Sequence, residues 1–172
     1  MDNRTHHCFL FEFNVRNGIC SADRASDLID KADFYHGAAL AAALDDSRCV
    51  DIAGCPPGYL VNDAVLALIK YRTNGRSPWQ FTFSAEDLAR LQHCPDGVDR
   101  VVLALVCGGD GICAVSAETA CSLLDGAAAW IAVRRKFRGW YGVSGPAGRL
   151  EKKVPLRRWP EILFQNEESL DE

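Results

Sequence analysis

Apolar and polar positions alternate along this chain in two rhythms. Phe9, Phe11 and Phe13 in CFLFEFNV, residues 8–15, are apolar at every second position and predict a strand. Residues 28–44, LIDKADFYHGAALAAAL, are alanine-rich with helical spacing, and Asp45-Asp46 ends that helix. RCVDIAG, 48–54, reads as a short strand, and CPPG, 55–58, forces a turn. Residues 59–61 and 64–72 then form two strands joined tightly at Asn62-Asp63. Residues 79–83, WQFTF, alternate as a strand, and Ser84 with Asp87 marks a capping box for the next helix, with Leu88 and Leu91 on its apolar face.

Further on, residues 101–106 are wholly apolar and 111–115 nearly so, joined at Gly108-Gly109-Asp110. A short helix starts at Ser116 or Ala117 and runs through Leu124. Residues 128–133 are a strand with 140–143 as its hairpin partner. Strands and helices mixed in this order predict an α/β or α+β domain, a central mixed sheet with flanking helices. The 172 residues suit one domain over 1–160, followed by an acidic tail, 161–172, that reads as frayed.

Composition adds little to this: 48% hydrophobic and 24% charged is ordinary for a globular protein. No apolar run approaches the length of a membrane helix, and no secretory signal is visible at the N-terminus, so a cytoplasmic protein without membrane contact is expected. The eight cysteines show no CxxC spacing and several lie in apolar strands, so they read as small buried hydrophobes rather than disulfides or zinc ligands.

Charge changes the picture more. The net −4 conceals ten basic against seventeen acidic side chains in residues 1–133, and five acids without a base in 159–172. Between them, residues 134–158 carry nine cations against Glu151 alone: Arg134, Arg135, Lys136, Arg138, Arg149, Lys152, Lys153, Arg157 and Arg158. Phe137, Trp140 and Tyr141 are interleaved with them. Cations neutralise phosphates and aromatic faces stack on exposed bases, so this segment, Trp140 included, is the candidate nucleic-acid-binding region. The alternatives are a solvated charged hairpin, or contact with an acidic protein partner.

Lys70, at the exit of the apolar strand VLALIKYR, is the candidate catalytic or phosphate-facing residue; otherwise its stem lies on the core with the ammonium in water. His36 is a possible general base or a packed helix residue. CGGDGIC, 107–113, is glycine-rich enough to cradle a phosphate but fits a tight hairpin better.

A helix, a three-strand meander ending in lysine, a helix and another strand, over residues 28–107, resembles the core order of the restriction-endonuclease-like PD-(D/E)XK superfamily. That resemblance implies a restriction-endonuclease-like core and a setting in DNA processing or phage defence. The family's two magnesium-binding acids fall at Pro57-Gly58 and Leu68 here, and Lys70 alone matches. The implied function is therefore DNA or RNA binding without metal-dependent cleavage and without a cofactor. The alternatives are an active nuclease using Mg²⁺ held by displaced acids (Asp51, Asp63 or Glu86) and a non-enzymatic protein-interaction module. A looser likeness exists to small bacterial proteins carrying HGAAL, IKY, SPWxFTF and DGICxxS, here at 36–40, 69–71, 77–83 and 110–116.

Overall fold

The computed structural model describes residues 29–125 and 129–165. The elements in order are α1 (Lys31–Leu44), β1 (Ile52–Cys55), β2 (Gly58–Val61), β3 (Val65–Arg72), β4 (Trp79–Thr82) and α2 (Ala85–Gln92). They continue with β5 (Arg100–Cys107), β6 (Ile112–Ser116), α3 (Ala117–Leu123), β7 (Trp130–Arg134), β8 (Gly142–Gly145), β9 (Gly148–Arg149) and α4 (Arg158–Glu161). One sheet has the order β1-β2-β3-β5-β6 and a second the order β4-β7-β8-β9. Content and layering are mixed α/β, with a mixed five-stranded sheet and flanking helices.

The two central strands explain the longest apolar runs. β3 and β5 pair in parallel, from Val65 opposite Arg100 to Arg72 opposite Cys107. Parallel neighbours need a crossover, which here passes through β4 and α2. Both faces of this pair are covered, so alternate residues enter two separate cores. Leu66, Leu68, Leu103, Leu105 and Val115 pack against Trp79, Phe81, Ile131, Val133 and Val143 of the second sheet, with α2 and α3 at its margin. Ala67, Ile69, Val102, Ala104 and Val106 face α1 and Trp159, Ile162 and Leu163. Full burial of one such leucine or isoleucine contributes roughly 1.5–3 kcal/mol.

Local chemistry sets the boundaries. Asn62 and Asp63 both have positive φ, 53° and 54°, which is the two-residue turn that joins β2 to β3. Gly58 lets β2 approach β3, because a Cβ there would stand 2.5 Å from the Ala67 carbonyl oxygen. Ser84 and Asp87 form the capping box of α2. The strand anticipated over 48–54 is confined to Ile52–Cys55. Upstream of it the Asn62 side chain accepts from the amides of Val50 and Asp51 and donates to the Arg48 carbonyl, so a side chain takes the bonds that a ladder would need.

The partner of β7 is Gly142–Gly145, later than anticipated, because Tyr141 bridges to Val154 instead. Beyond residue 160 the chain is not all frayed: Ile162 and Leu163 are buried beneath α1 and β3. The strand anticipated at 8–15, residue 128 of the strand anticipated at 128–133, and the tail after 165 lie outside the described residues. Among the described residues no helix is long and apolar enough to cross a membrane.

Candidate nucleic-acid interface

Segment 134–158 folds as two neighbouring pieces. The first is the loop 135–141, which joins β7 to β8. The second is a strap, 150–157, which follows β9 and leads into α4. Two backbone bonds between Tyr141 and Val154, of 2.9 and 2.8 Å, tie the pieces together, and Leu150 donates to the Val143 carbonyl at 3.0 Å. Val154 is buried, so the strap is anchored at its middle while the side chains around it face outward.

Arg135 in the loop is turned inward. Its Nε donates to the Gly139 carbonyl at 2.7 Å and its guanidinium meets Asp110 Oδ2 at 2.7 Å. Tyr141, fully buried, donates its hydroxyl to the same Asp110 oxygen at 3.2 Å, and Arg135 lies over its ring at 5.5 Å. Burial pushes the Tyr141 phenol well above its usual range, helped by neighbouring Cys107 and Asp110, so it stays protonated as a donor. Gly111 makes this possible: its φ is +143°, and a Cβ there would stand 2.7 Å from the Tyr141 hydroxyl. CGGDGIC is thus a tight turn whose carboxylate clamps the basic loop, with Asp110 N–H bonded to the Cys107 carbonyl.

The rest of the loop is exposed. Arg134, Lys136 and Arg138 reach solvent, Arg138 over the Phe137 ring at 5.3 Å, and Phe137 is 91% exposed. Trp140 is 56% exposed and turns toward the strap. There, Lys152, Lys153, Arg157 and Arg158 join it in lining an open groove of about 1130 Å³. The opposite wall is Ala114–Ser116 of β6, the outer strand of the five-stranded sheet. Two acids, Glu151 and Glu161, share the groove, as does Gln165, which accepts from the Arg158 guanidinium at 3.4 Å. Burial pulls the Arg158 guanidinium down from its usual value, against the pull of Glu161. Lys152, Lys153 and Arg157 are exposed and form no ion pair among the described residues. Arg149, on β9, is exposed but does not line the groove.

Five of the ten anticipated nucleic-acid contacts, Trp140, Lys152, Lys153, Arg157 and Arg158, therefore converge on one concavity. Arg134, Lys136 and Arg138 occupy the hairpin end, Arg149 stands apart, and Arg135 is neutralised by Asp110. The β6 wall and Gln165 carry no local signal in the sequence, because only the strand order and the turn of α4 bring them to the strap.

Lys70 does not join this surface. It shares the inner face of β3 with Leu66 and Leu68, and its ammonium bonds Asp87 Oδ2 at 2.6 Å and lies 5.4 Å from the Phe83 ring centroid. The same Asp87 oxygen accepts from Ser84 N and Ser84 Oγ at 2.8 and 2.9 Å. Burial alone would raise the Asp87 carboxyl, but the bonds from Lys70 and Ser84 outweigh it and hold the group below its usual range. The carboxylate beside Lys70 is taken up by Lys70 and the helix cap, and Leu68 is buried. Among the described residues no three His, Cys, Asp or Glu side chains are grouped so as to hold a metal ion. His36 is packed, with Nδ1 3.2 Å from the Tyr59 hydroxyl and its ring edge-on to Tyr59 and Tyr71; burial, against Asp33, lowers its pKa.

No protein family, no curated protein and no solved structure matches this chain.

Proposed function

We propose that this protein binds nucleic acid through its phosphate backbone, along the groove between β6 and the strap and onto the exposed end of the β7–β8 loop. The observation that carries this reading is the convergence of Lys152, Lys153, Arg157 and Arg158, with half-exposed Trp140, on one open groove. Four cations face two carboxylates there, so the concavity is positive on a chain whose net charge is −4. Positive concavities draw in and retain polyanions, an effect that weakens with salt. The reading is of binding alone; the carboxylate bonded to Lys70, Asp87, also serves as the cap of α2. A setting in DNA processing or phage defence, implied by the likeness in element order, is compatible with binding alone.

Equilibrium binding of labelled oligonucleotides across a salt series tests it. With four phosphates neutralised, log K is expected to fall linearly with log[salt] at a slope of about −3 to −4. No binding at low salt, or binding indifferent to salt, rules the proposal out.

A further inference from the structure

Resting on that reading, we infer that the ligand is single-stranded: an unpaired base stacks on Trp140 while the backbone follows Lys152, Lys153 and Arg157 along the groove. Three independent features of the site point the same way.

The first is the state of Trp140 itself. Trp79 and Trp159 are buried and donate their indole N–H to the carbonyls of Asn74 and Ala39, at 2.7 and 3.0 Å. Trp140 is 56% exposed and its indole has no hydrogen-bond partner among the described residues. The ring is nonetheless carried on a fixed backbone: Gly139 N–H bonds the Lys136 carbonyl at 2.8 Å on one side, and Tyr141 is doubly bonded to Val154 on the other. An exposed aromatic on a rigid mount beside cations has the chemistry of a stacking platform, which only an unpaired base can use.

The second is shape. The cations line an open concavity of about 1130 Å³, with Lys152, Lys153 and Arg157 exposed along its wall. A duplex carries its phosphates on a convex cylinder with its bases turned inward, whereas a single strand bends into a groove and presents both phosphates and bases.

The third is the mixed lining. Glu151 and Glu161 repel phosphates, yet they sit among the cations. Carboxylates accept hydrogen bonds from the exocyclic amines of bases. Such acceptors are of use to bases lying in the groove and of none to a ligand recognised through phosphates alone.

Fluorescence anisotropy on the full chain at low salt decides the matter, with oligodeoxycytidine, oligocytidine and duplex DNA, each of about 12 nucleotides, and with polyglutamate as a non-nucleic polyanion. The single strands are expected to bind at least about ten-fold tighter than the duplex or polyglutamate, and the two single strands together show whether the sugar matters. Trp140→Leu is expected to weaken single-strand binding about ten-fold, with an unchanged circular dichroism spectrum and unchanged heparin affinity; Trp140→Phe keeps most of the affinity. Duplex or polyglutamate binding as tightly as the single strands, or indifference to Trp140→Leu, overturns the inference. Duplex preference leaves the proposed function standing, while failure of every polyanion to bind removes both.

Discussion

The loop 135–141 and the strap 150–157 are both basic, and they are tied to each other through Tyr141 and Val154, yet they handle charge in opposite ways. In the loop, Arg135 lies within reach of Asp110 and becomes a clamp that fastens the β5–β6 turn to the second sheet. In the strap, Lys152, Lys153 and Arg157 meet no carboxylate within ion-pairing distance among the described residues and stay available. The lesson is that a run of cations in sequence is not a patch in space. One turn carboxylate, brought in by strand pairing, takes up a cation that the sequence had marked for binding. Lys70 of β3 is taken up in the same way by Asp87 of α2.

The sharpest way to break the contrast is to strip the strap. Lys152→Gln, Lys153→Gln and Arg157→Gln together are expected to lower oligonucleotide affinity about 100-fold at low salt and to flatten the salt slope by about 2 to 3. Folding stability should move by less than about 0.5 kcal/mol, since all three are exposed. Parallel anisotropy and urea titrations check both halves. A variant that loses stability while holding affinity would reverse the roles assigned to loop and strap.

The clamp should behave conversely. Asp110→Ala leaves the Tyr141 hydroxyl and the Arg135 guanidinium without their shared acceptor, at a cost of about 2 kcal/mol. Affinity for oligonucleotides should change little, because Arg135 does not line the groove. The Arg135→Ala, Asp110→Ala double variant should be less destabilised than the two single losses combined. Strict additivity in denaturant melts would mean that the pair contributes nothing as a pair.

These contrasts mark where the sequence could be read and where it could not. The runs at β3 and β5 were legible as buried strands because both of their faces are covered, so residues 65–69 and 101–107 are all apolar. The turn at Asn62-Asp63 and the cap at Ser84-Asp87 were legible because each is a local pattern with a local cause. The strand at 48–54 was misjudged because its competitor, the Asn62 side chain, comes from the next hairpin. Composition marked the basic segment, and the structure gathers five of its ten singled-out residues onto one groove. The sorting of Arg135 from Lys152 was beyond reach, since it depends on which turn faces which loop across two sheets. Ile162 and Leu163 were hidden inside an acidic stretch whose charge suggested fraying, although with Trp159 they dock the helix end under α1.

The smallest expected effect belongs to Lys70 and also sharpens the contrast. Replacing it by Met keeps the stem that packs beside Phe83 and removes the ammonium from Asp87. With side chains 26% and 18% exposed, the pair is worth about 1 kcal/mol or less at neutral pH. The Asp87 carboxyl is held below its usual range in the folded protein, so the folded state binds the proton less readily than the unfolded chain. The stability it contributes is complete above the unfolded carboxyl value of about 4 and is lost as pH falls through the lower folded value. The gap between the wild type and Lys70→Met should therefore be widest near neutral pH and close in acid, while Asp87→Asn, which removes the titrating group, should show a flatter acid limb than the wild type. Oligonucleotide affinity should be untouched in both variants, because Lys70 lies outside the groove. Thermal melts from neutral pH downward, paired with anisotropy, read both effects. A loss of nucleic-acid binding in Lys70→Met, with the fold intact, would return this lysine to the phosphate-facing role that its strand position first suggested.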